Sequence, residues 1–257
     1  MDPNWRIRYD LAIEAAQQAG RLALGYFDKN VAVEWKQDDS PVTLADRGAE
    51  NLLKKTLLGR FPQDGFLGEE SGAAPGSSGF RWIIDPIDGT RSFIRGVPIW
   101  ATLVGLEYKG ELIAGVAHVP AMEQTYRALR GDGAFRNDRR IHVSDVADLA
   151  KAHLYYSSMS WFIKAGAEKT FLDLVRLTER QRGFGDFYGF VLVAQGAGEI
   201  MLEHGVHPWD LGALIPIVEE AGGKMTTWGG KVDITQPDVL ATNGKLHATV
   251  MNLLKKV

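Results

Sequence analysis

Residues 82–93 read WIIDPIDGTRSF. Trp82, Ile83 and Ile84 have the character of a short buried strand, and two carboxylates follow at once, Asp85 and Asp88, ahead of Gly89 and Thr90. In a regular strand alternate side chains point to opposite faces, so Asp85 and Asp88 would diverge. Pro86 restricts Asp85 and has no N–H for a ladder, so the chain is expected to break from the strand and turn at Gly89. A turned Asp-Pro-Ile-Asp brings both carboxylates to one side with the Ile87 carbonyl between them, a set of hard oxygens suited to Mg²⁺. A helix beginning after Gly89 would also offer free backbone N–H groups to an anion. The plainer reading is an Asp-Pro turn with Asp88 as a helix N-cap, and the spacing alone does not separate the two.

Working outward, 5–28 and 43–61 carry apolar residues at helical spacing, with a polar loop or hairpin, EWKQDDSPVT, between them. GFLGEESG (65–72) predicts a short strand feeding a turn, and AAPGSSG (73–79) a mobile loop that could order over the acidic residues. Strands are predicted in FRWIID, IWATLVGLEY, ELIAGVAHVP, QTYRALR and GAFRN. Beyond about residue 145, strands and helices alternate. Helices are expected in AEKTFLDLVRLTER, in the buried YGFVLVAQGAG, in HPWDLGALIPIVEEAGG as one strong helix, and in the closing GKLHATVMNLLKKV. EIMLEHG, KMTTW and DVLATN are expected strands. The pattern is α/β with layered helices and sheets. Two contiguous halves, 1–145 and 146–257, form one unit, the first holding most of the acidic motifs and the second Asp210.

Composition narrows the chemistry. The 257 residues are 45% hydrophobic and 24% charged, with a net charge of -3. That leaves no basic field for non-specific nucleic-acid binding. Cysteine is absent, so thiolate metal sites, disulfides and cysteine nucleophiles are excluded, and any metal must be held by oxygen or imidazole. No apolar run approaches the roughly 20 residues that span a bilayer, and 1–20 lacks the pattern of a secretion signal, which makes the cytoplasm the expected compartment.

Two further acidic spots join Asp85 and Asp88. Glu69 and Glu70 follow a strand-like run in LGEES, and Asp210 sits between Trp209 and Leu211 in HPWDLGA. Alone, the first is a solvated pair and the second a first-turn helix residue favoured by the dipole. If the three spots converge, the carboxylates need cationic charge, and a pair of divalent ions of the kind used in phosphoryl hydrolysis supplies it.

LGEES, WIIDPIDGTRSF and WDLGALIPIVEEAGG, in this order and spacing, resemble the inositol monophosphatase family of Mg²⁺-dependent, lithium-sensitive phosphatases. The resemblance covers nearly the whole chain. It implies a layered α-β-α-β-α sandwich of the inositol monophosphatase/fructose-1,6-bisphosphatase type, a homodimer, and two or three Mg²⁺ ions. It makes Glu69, Asp85, the Ile87 carbonyl, Asp88 and Asp210 metal ligands, with Glu70 less clearly placed. SPVTLAD resembles the segment before the second helix and makes Asp46 the partner of Thr90, a pair that would polarise the attacking water. Gly89 and Thr90 would hold phosphate oxygens. Lys36 resembles a lysine near the active site, although alone it reads as a solvated surface residue. Loss of activity to leave a binding or regulatory protein is disfavoured, since every expected metal position is filled.

RSFIRGVPIWATLVGLE, with Arg91, Ser92, Phe93 and Trp100, and GFGDFYGFVLVAQGAGEIMLE resemble the histidinol-phosphatase branch. The expected substrate is therefore a small phosphate monoester, histidinol phosphate, with inositol 1-phosphate or a broader set of sugar phosphates as the alternative. Asp186 and Glu203 would read the cationic leaving group, because histidinol carries an ammonium and a partly charged imidazole where inositol has only hydroxyls. The plain readings are a turn residue for Asp186 and a core aromatic for Trp100.

Overall fold

Asp2 accepts the Asn4 amide at 2.8 Å and, with Pro3 in the first turn, starts α1 (Pro3–Leu24). The computed structural model describes residues 2–29, 32–36 and 40–255. The polar stretch after α1 gives a hairpin of β1 (Val33–Trp35) and β2 (Pro41–Thr43), and residues 37–39, also part of the predicted loop or hairpin, lie outside the described residues. Thr43 and Asp46 then cap α2 (Leu44–Arg60) reciprocally.

An eight-stranded sheet follows. It holds β3 (Gly65–Gly68), β4 (Gly72–Ala74), β5 (Phe80–Asp88), β6 (Ala101–Tyr108), β7 (Glu111–Val119), β8 (Gln124–Leu129), β9 (Gly133–Arg136) and β10 (Arg139–Ile141). The order is β10-β9-β8-β7-β6-β5-β3-β4. Only β3 and β5 run parallel. A single turn, α3 (Thr90–Phe93), follows β5. The second sheet has five strands in the order β12-β11-β13-β15-β14, from β11 (His153–Tyr155), β12 (Arg180–Arg182), β13 (Ile200–His204), β14 (Lys224–Thr226) and β15 (Asp238–Thr242). Its helices are α4 (Met159–Lys164), α5 (Glu168–Leu177), α6 (Asp186–Ala194), α7 (Pro208–Gly212), α8 (Leu214–Glu220) and α9 (His247–Leu254).

Three apolar clusters define five layers. Tyr9, Ala16, Leu53 and Leu57 of α1 and α2 pack on Trp82, Ile84, Leu106 and Val116 of the first sheet. On that sheet's other face Leu103 and Ala117 meet Phe190, Leu214 and Ile217, which also cover Met201 and Met225 of the second sheet. Phe162, Leu174 and Val250 close the outer face of the second sheet over Leu154, Ile200 and Leu240. The result is the expected α-β-α-β-α sandwich.

Two expectations are corrected. AAPGSSG is not a loop over the acidic residues. Its first part completes β4, and the Ser77 and Ser78 amides donate to the Gln63 carbonyl. This fastens the segment at the start of β3, about 13 Å of strand from the Glu69 end. The predicted single helix over 207–223 is two, α7 and α8, parted at Ala213. Pro216 lacks the N–H that would reach the Gly212 carbonyl. The parted backbone presses into two glycines of the sheet: a Cβ on Gly115 would fall 1.9 Å from the Ala213 carbonyl oxygen, and one on Gly105 2.6 Å from the Gly212 carbonyl carbon.

Candidate active site

The site forms where β5 ends. Asp85 is registered with Leu103 and Asp88 with Ala101, so three steps on β5 oppose two on β6. This extra residue is a bulge, and it cancels the alternation that would have sent the two carboxylates apart. Pro86 was expected to break the strand. Instead the bulge accommodates it within β5, its carbonyl accepting the Thr102 hydroxyl at 2.9 Å, and the chain turns only at Gly89, where φ is 85°.

Neighbouring elements hold each acid. The Ile87 amide donates to Asp85 Oδ1 at 3.0 Å. The Phe187 amide, at the start of α6, donates to Asp88 Oδ2 at 2.6 Å. Asp210 lies in the first turn of α7 and accepts the His207 amide at 2.7 Å, so the plain helix-start reading also holds for it. One oxygen each from Asp85, Asp88 and Asp210 lies within 4.8 Å of the others. Glu69 extends the β3–β5 ladder through its amide, which donates to the Ile84 carbonyl at 3.2 Å. It stands outside that closest trio, with Lys36 Nζ donating to it at 2.8 Å and to Glu70 at 2.6 Å. Glu50, which the sequence reading missed, accepts the Glu70 and Ser71 amides at 2.8 and 2.7 Å and fixes this turn. Its signal was present in the sequence, since it sits one helical turn after Asp46 on α2.

The electrostatics are those of acids short of cations. Burial pushes the Asp85 carboxyl well above the usual range, and Glu69, Asp88 and Asp210 add to this. Burial does the same at Asp88, with Asp186 and Asp210 adding and the Phe187 amide opposing. Asp210 is pushed up to about 8 by burial, against the His207 amide. Burial lifts Glu69 to about 7 despite Lys36. At Lys36 burial pulls the pKa down, but the two glutamates outweigh it and the ammonium is held above the ordinary lysine value. Among the described residues Lys36 pairs only with Glu69 and Glu70. A compact all-oxygen donor set with suppressed ionisation fits a hard divalent cation, whose charge reverses that suppression.

Thr90 opens α3 beside this group. Its hydroxyl lies 2.8 Å from the Ile87 carbonyl and 3.3 Å from Asp46 Oδ1. Asp46 Oδ2 accepts the Thr43 amide and hydroxyl at 2.7 and 2.6 Å. Burial raises the Asp46 pKa and the Thr43 donors oppose the rise.

A cleft of about 290 Å³ continues from Asp88 and Asp210 past Asp186, Glu203, Ser157 and Trp161. Glu203 is 4% exposed. Its Oε1 accepts the Ser157 hydroxyl at 2.6 Å, while its buried Oε2 has no hydrogen-bond partner among the described residues. Burial lifts its pKa to about 7. Asp186 has φ 53°, and its Oδ2 would be 3.2 Å from a Cβ on Gly89, which places the carboxylate directly over that turn. The residue stays open to solvent although protein surrounds the carboxyl; this crowding raises its pKa and Arg91 opposes the rise. Arg91 lines the cleft and lies 5.6 Å from the Trp35 ring. Ser92 does not line it; its carbonyl accepts the Arg95 and Val97 amides. Ser157, in the connection between β11 and α4, and Trp161 of α4 were missed, because these flanking elements are too short to leave a periodic signal. Trp100 is a core aromatic, fully buried against Phe27 and Phe93.

This fold is shared with known proteins. The sequence matches the Inositol monophosphatase family across residues 5–257, and the chain belongs to that family. It is 41% identical over 234 residues to the histidinol-phosphatase of Chlorobaculum parvum, covering 90% of each chain. It is 40% identical over 246 residues to the histidinol-phosphatase of Mycobacterium tuberculosis, covering 94% of each. Among solved structures it superposes on the extragenic suppressor protein suhB of Bartonella henselae with a TM-score of 0.88 at 32% identity, covering 96% of this chain and 98% of that one. On the inositol monophosphatase of Anabaena the TM-score is 0.87 at 32% identity, covering 99% and 97%.

Proposed function

We propose that the chain hydrolyses histidinol phosphate to histidinol and phosphate with Mg²⁺, the step before histidinol oxidation in histidine synthesis. The observation that carries the substrate is the unpartnered Glu203 Oε2, buried in the same cleft as Asp186, Asp88 and Asp210. An ammonium or imidazolium donates to such an oxygen and restores its charge, whereas a neutral polyol offers only hydroxyls. The histidinol-phosphatases of C. parvum and M. tuberculosis, at 41% and 40% identity, support the same choice.

Asp85, Asp88 and Asp210, with the Ile87 carbonyl and Glu69, would hold two or three Mg²⁺ ions. When bound, Mg²⁺ would neutralise phosphate oxygens and the departing alkoxide and lower the pKa of a coordinated water. The protein's own residues do the rest. The Gly89 and Thr90 amides face the phosphate oxygens. Asp46 takes the Thr90 hydroxyl proton in a hydrogen bond, leaving the Thr90 oxygen to accept one from the attacking water and align it with phosphorus. Lys36 holds Glu69 and Glu70 in place and balances part of their charge. Arg91 balances Asp186 at the cleft mouth. Asp186 and Glu203 seat the cationic end of the ester. The P–O bond to the alcohol breaks as water oxygen bonds to phosphorus, one water proton leaving with the alcohol.

A homodimer working in the cytoplasm belongs to this proposal. Among the described residues no helix is long and apolar enough to cross a membrane. Inositol phosphate or a broader set of sugar phosphates is the second reading, favoured by the structural match to the Anabaena inositol monophosphatase. The test is kcat/KM with Mg²⁺ for histidinol phosphate, inositol 1-phosphate, fructose 1,6-bisphosphate and phosphoadenosine phosphate. A clear preference for histidinol phosphate supports the assignment. A flat profile, or one led by inositol 1-phosphate, sinks it and leaves the acidic centre's role standing.

A further inference from the structure

A second cleft, of about 410 Å³, opens at the far end of α6, lined by Arg136, Arg139, Arg140, His142 and Gln195 with no carboxylate among its lining residues. From this juxtaposition we propose that it binds a small phosphate-bearing anion at a site separate from the acidic cleft. The nine residues of α6 hold the two about 13 Å apart along the helix, since Asp186 begins it and Gln195 caps it.

The cationic side chains are arranged rather than scattered. Arg136 and Arg139 are directly registered partners on β9 and β10 and so share a face. Like charges opposite one another destabilise a ladder, and an anion between them removes that cost. Arg136 is aimed by its hydrogen bond to Gln195 Oε1 at 2.9 Å. Arg140, registered with Phe135, alternates to the other face, where its guanidinium lies 5.6 Å from the Phe135 ring, so Arg136 and Arg139 are the pair that faces the cleft together. Among the described residues Arg136 and Arg139 form no ion pair, and the lining of the cleft offers them no carboxylate. In a chain of net charge -3 this is a local reversal of sign. Guanidinium forks match phosphate oxygens bidentately, and the volume suits a small molecule.

The experiment titrates inorganic phosphate, and separately glycerol 2-phosphate, into the full chain by calorimetry. Chelator is present so that the active-site carboxylates stay bare and repel anions, and ionic strength is fixed with chloride. Saturable binding of one anion per chain is expected, weakened about tenfold or more in Arg136→Gln/Arg139→Gln, as befits loss of charge-assisted hydrogen bonds. Arg136→Lys/Arg139→Lys should retain part of it. Tighter binding of inorganic phosphate identifies the free ion as the occupant, and tighter binding of glycerol 2-phosphate an organic monoester. The substitutions lie on the β9–β10 hairpin at the edge of the sheet, and matching melting curves confirm intact folding. Without added anion, the variant's phosphatase activity should equal that of the wild type. Heats no larger than those from chloride, undiminished binding in the glutamine variant, or binding of polynucleotide without either small phosphate would each overturn the proposal.

Discussion

Asp88→Asn isolates the electrostatic account of the acidic centre. The asparagine carbonyl can still accept the Phe187 amide that Asp88 accepts at 2.6 Å, so the start of α6 keeps its anchor. What is lost is one negative charge beside Asp85 and Asp210, whose donor oxygens lie within 4.8 Å. At that separation and an effective dielectric of about 20, each ionised pair repels by about 3.5 kcal/mol. The metal-free protein avoids most of this by holding protons, as the raised pKa values of all three aspartates show. The stability gained in the variant is then about 1–3 kcal/mol at pH 8, and it shrinks at pH 5, where the carboxylates are protonated in any case. The assay is chemical denaturation in chelator at both pH values, followed by the same titration with Mg²⁺. Stabilisation by Mg²⁺ should be largely lost in the variant, and phosphate release should fall by about 100-fold or more. A variant that is less stable than wild type in chelator at pH 8, or that keeps full phosphate release, would refute the reasoning.

In the metal-free wild type the same groups make stability fall with rising pH. A carboxyl whose folded pKa is raised contributes stability below its unfolded value, near 4, and loses it as pH passes the folded value, about 7 for Glu69 and about 8 for Asp210. Melting temperatures in chelator should therefore drop between pH 5 and pH 8, and saturating Mg²⁺ should abolish most of the drop. Glu203→Gln removes the buried acceptor charge in the organic end of the cleft; KM for histidinol phosphate should rise about tenfold while kcat for glycerol 2-phosphate stays within about twofold. Gly115→Ala drives a methyl into the Ala213 carbonyl and should cost about 2–4 kcal/mol by denaturation, with weaker Mg²⁺ binding because α7 carries Asp210.

The acidic motifs were readable because each sits at the end of an element whose apolar pattern is strong. β5 and α2 announce themselves, and their ends carry Asp85, Asp88 and Asp46. Alternation alone would have split Asp85 from Asp88. Only the register against β6 shows the bulge that joins them, and register is a property of two strands, not one. The same limit hid β10, β11 and β12, three residues each, where pairing rather than local preference makes the strand. The break between α7 and α8 was marked by Pro216, but its packing partners Gly105 and Gly115 lie about a hundred residues earlier in the chain. Ser157 reaches the cleft from the connection after β11 and Trp161 from the short α4, while Glu50 could have been taken from its helical spacing to Asp46.

The central claim is that this acidic centre, charged with a divalent cation, releases phosphate from a cationic monoester. The most direct measurement is phosphate release from histidinol phosphate by protein stripped with chelator, before and after Mg²⁺ is restored, with Asp210→Asn beside the wild type. The account predicts no release without Mg²⁺, recovery in the wild type on its return, and none in the variant. Undiminished release in chelator, or full recovery in Asp210→Asn, would contradict it.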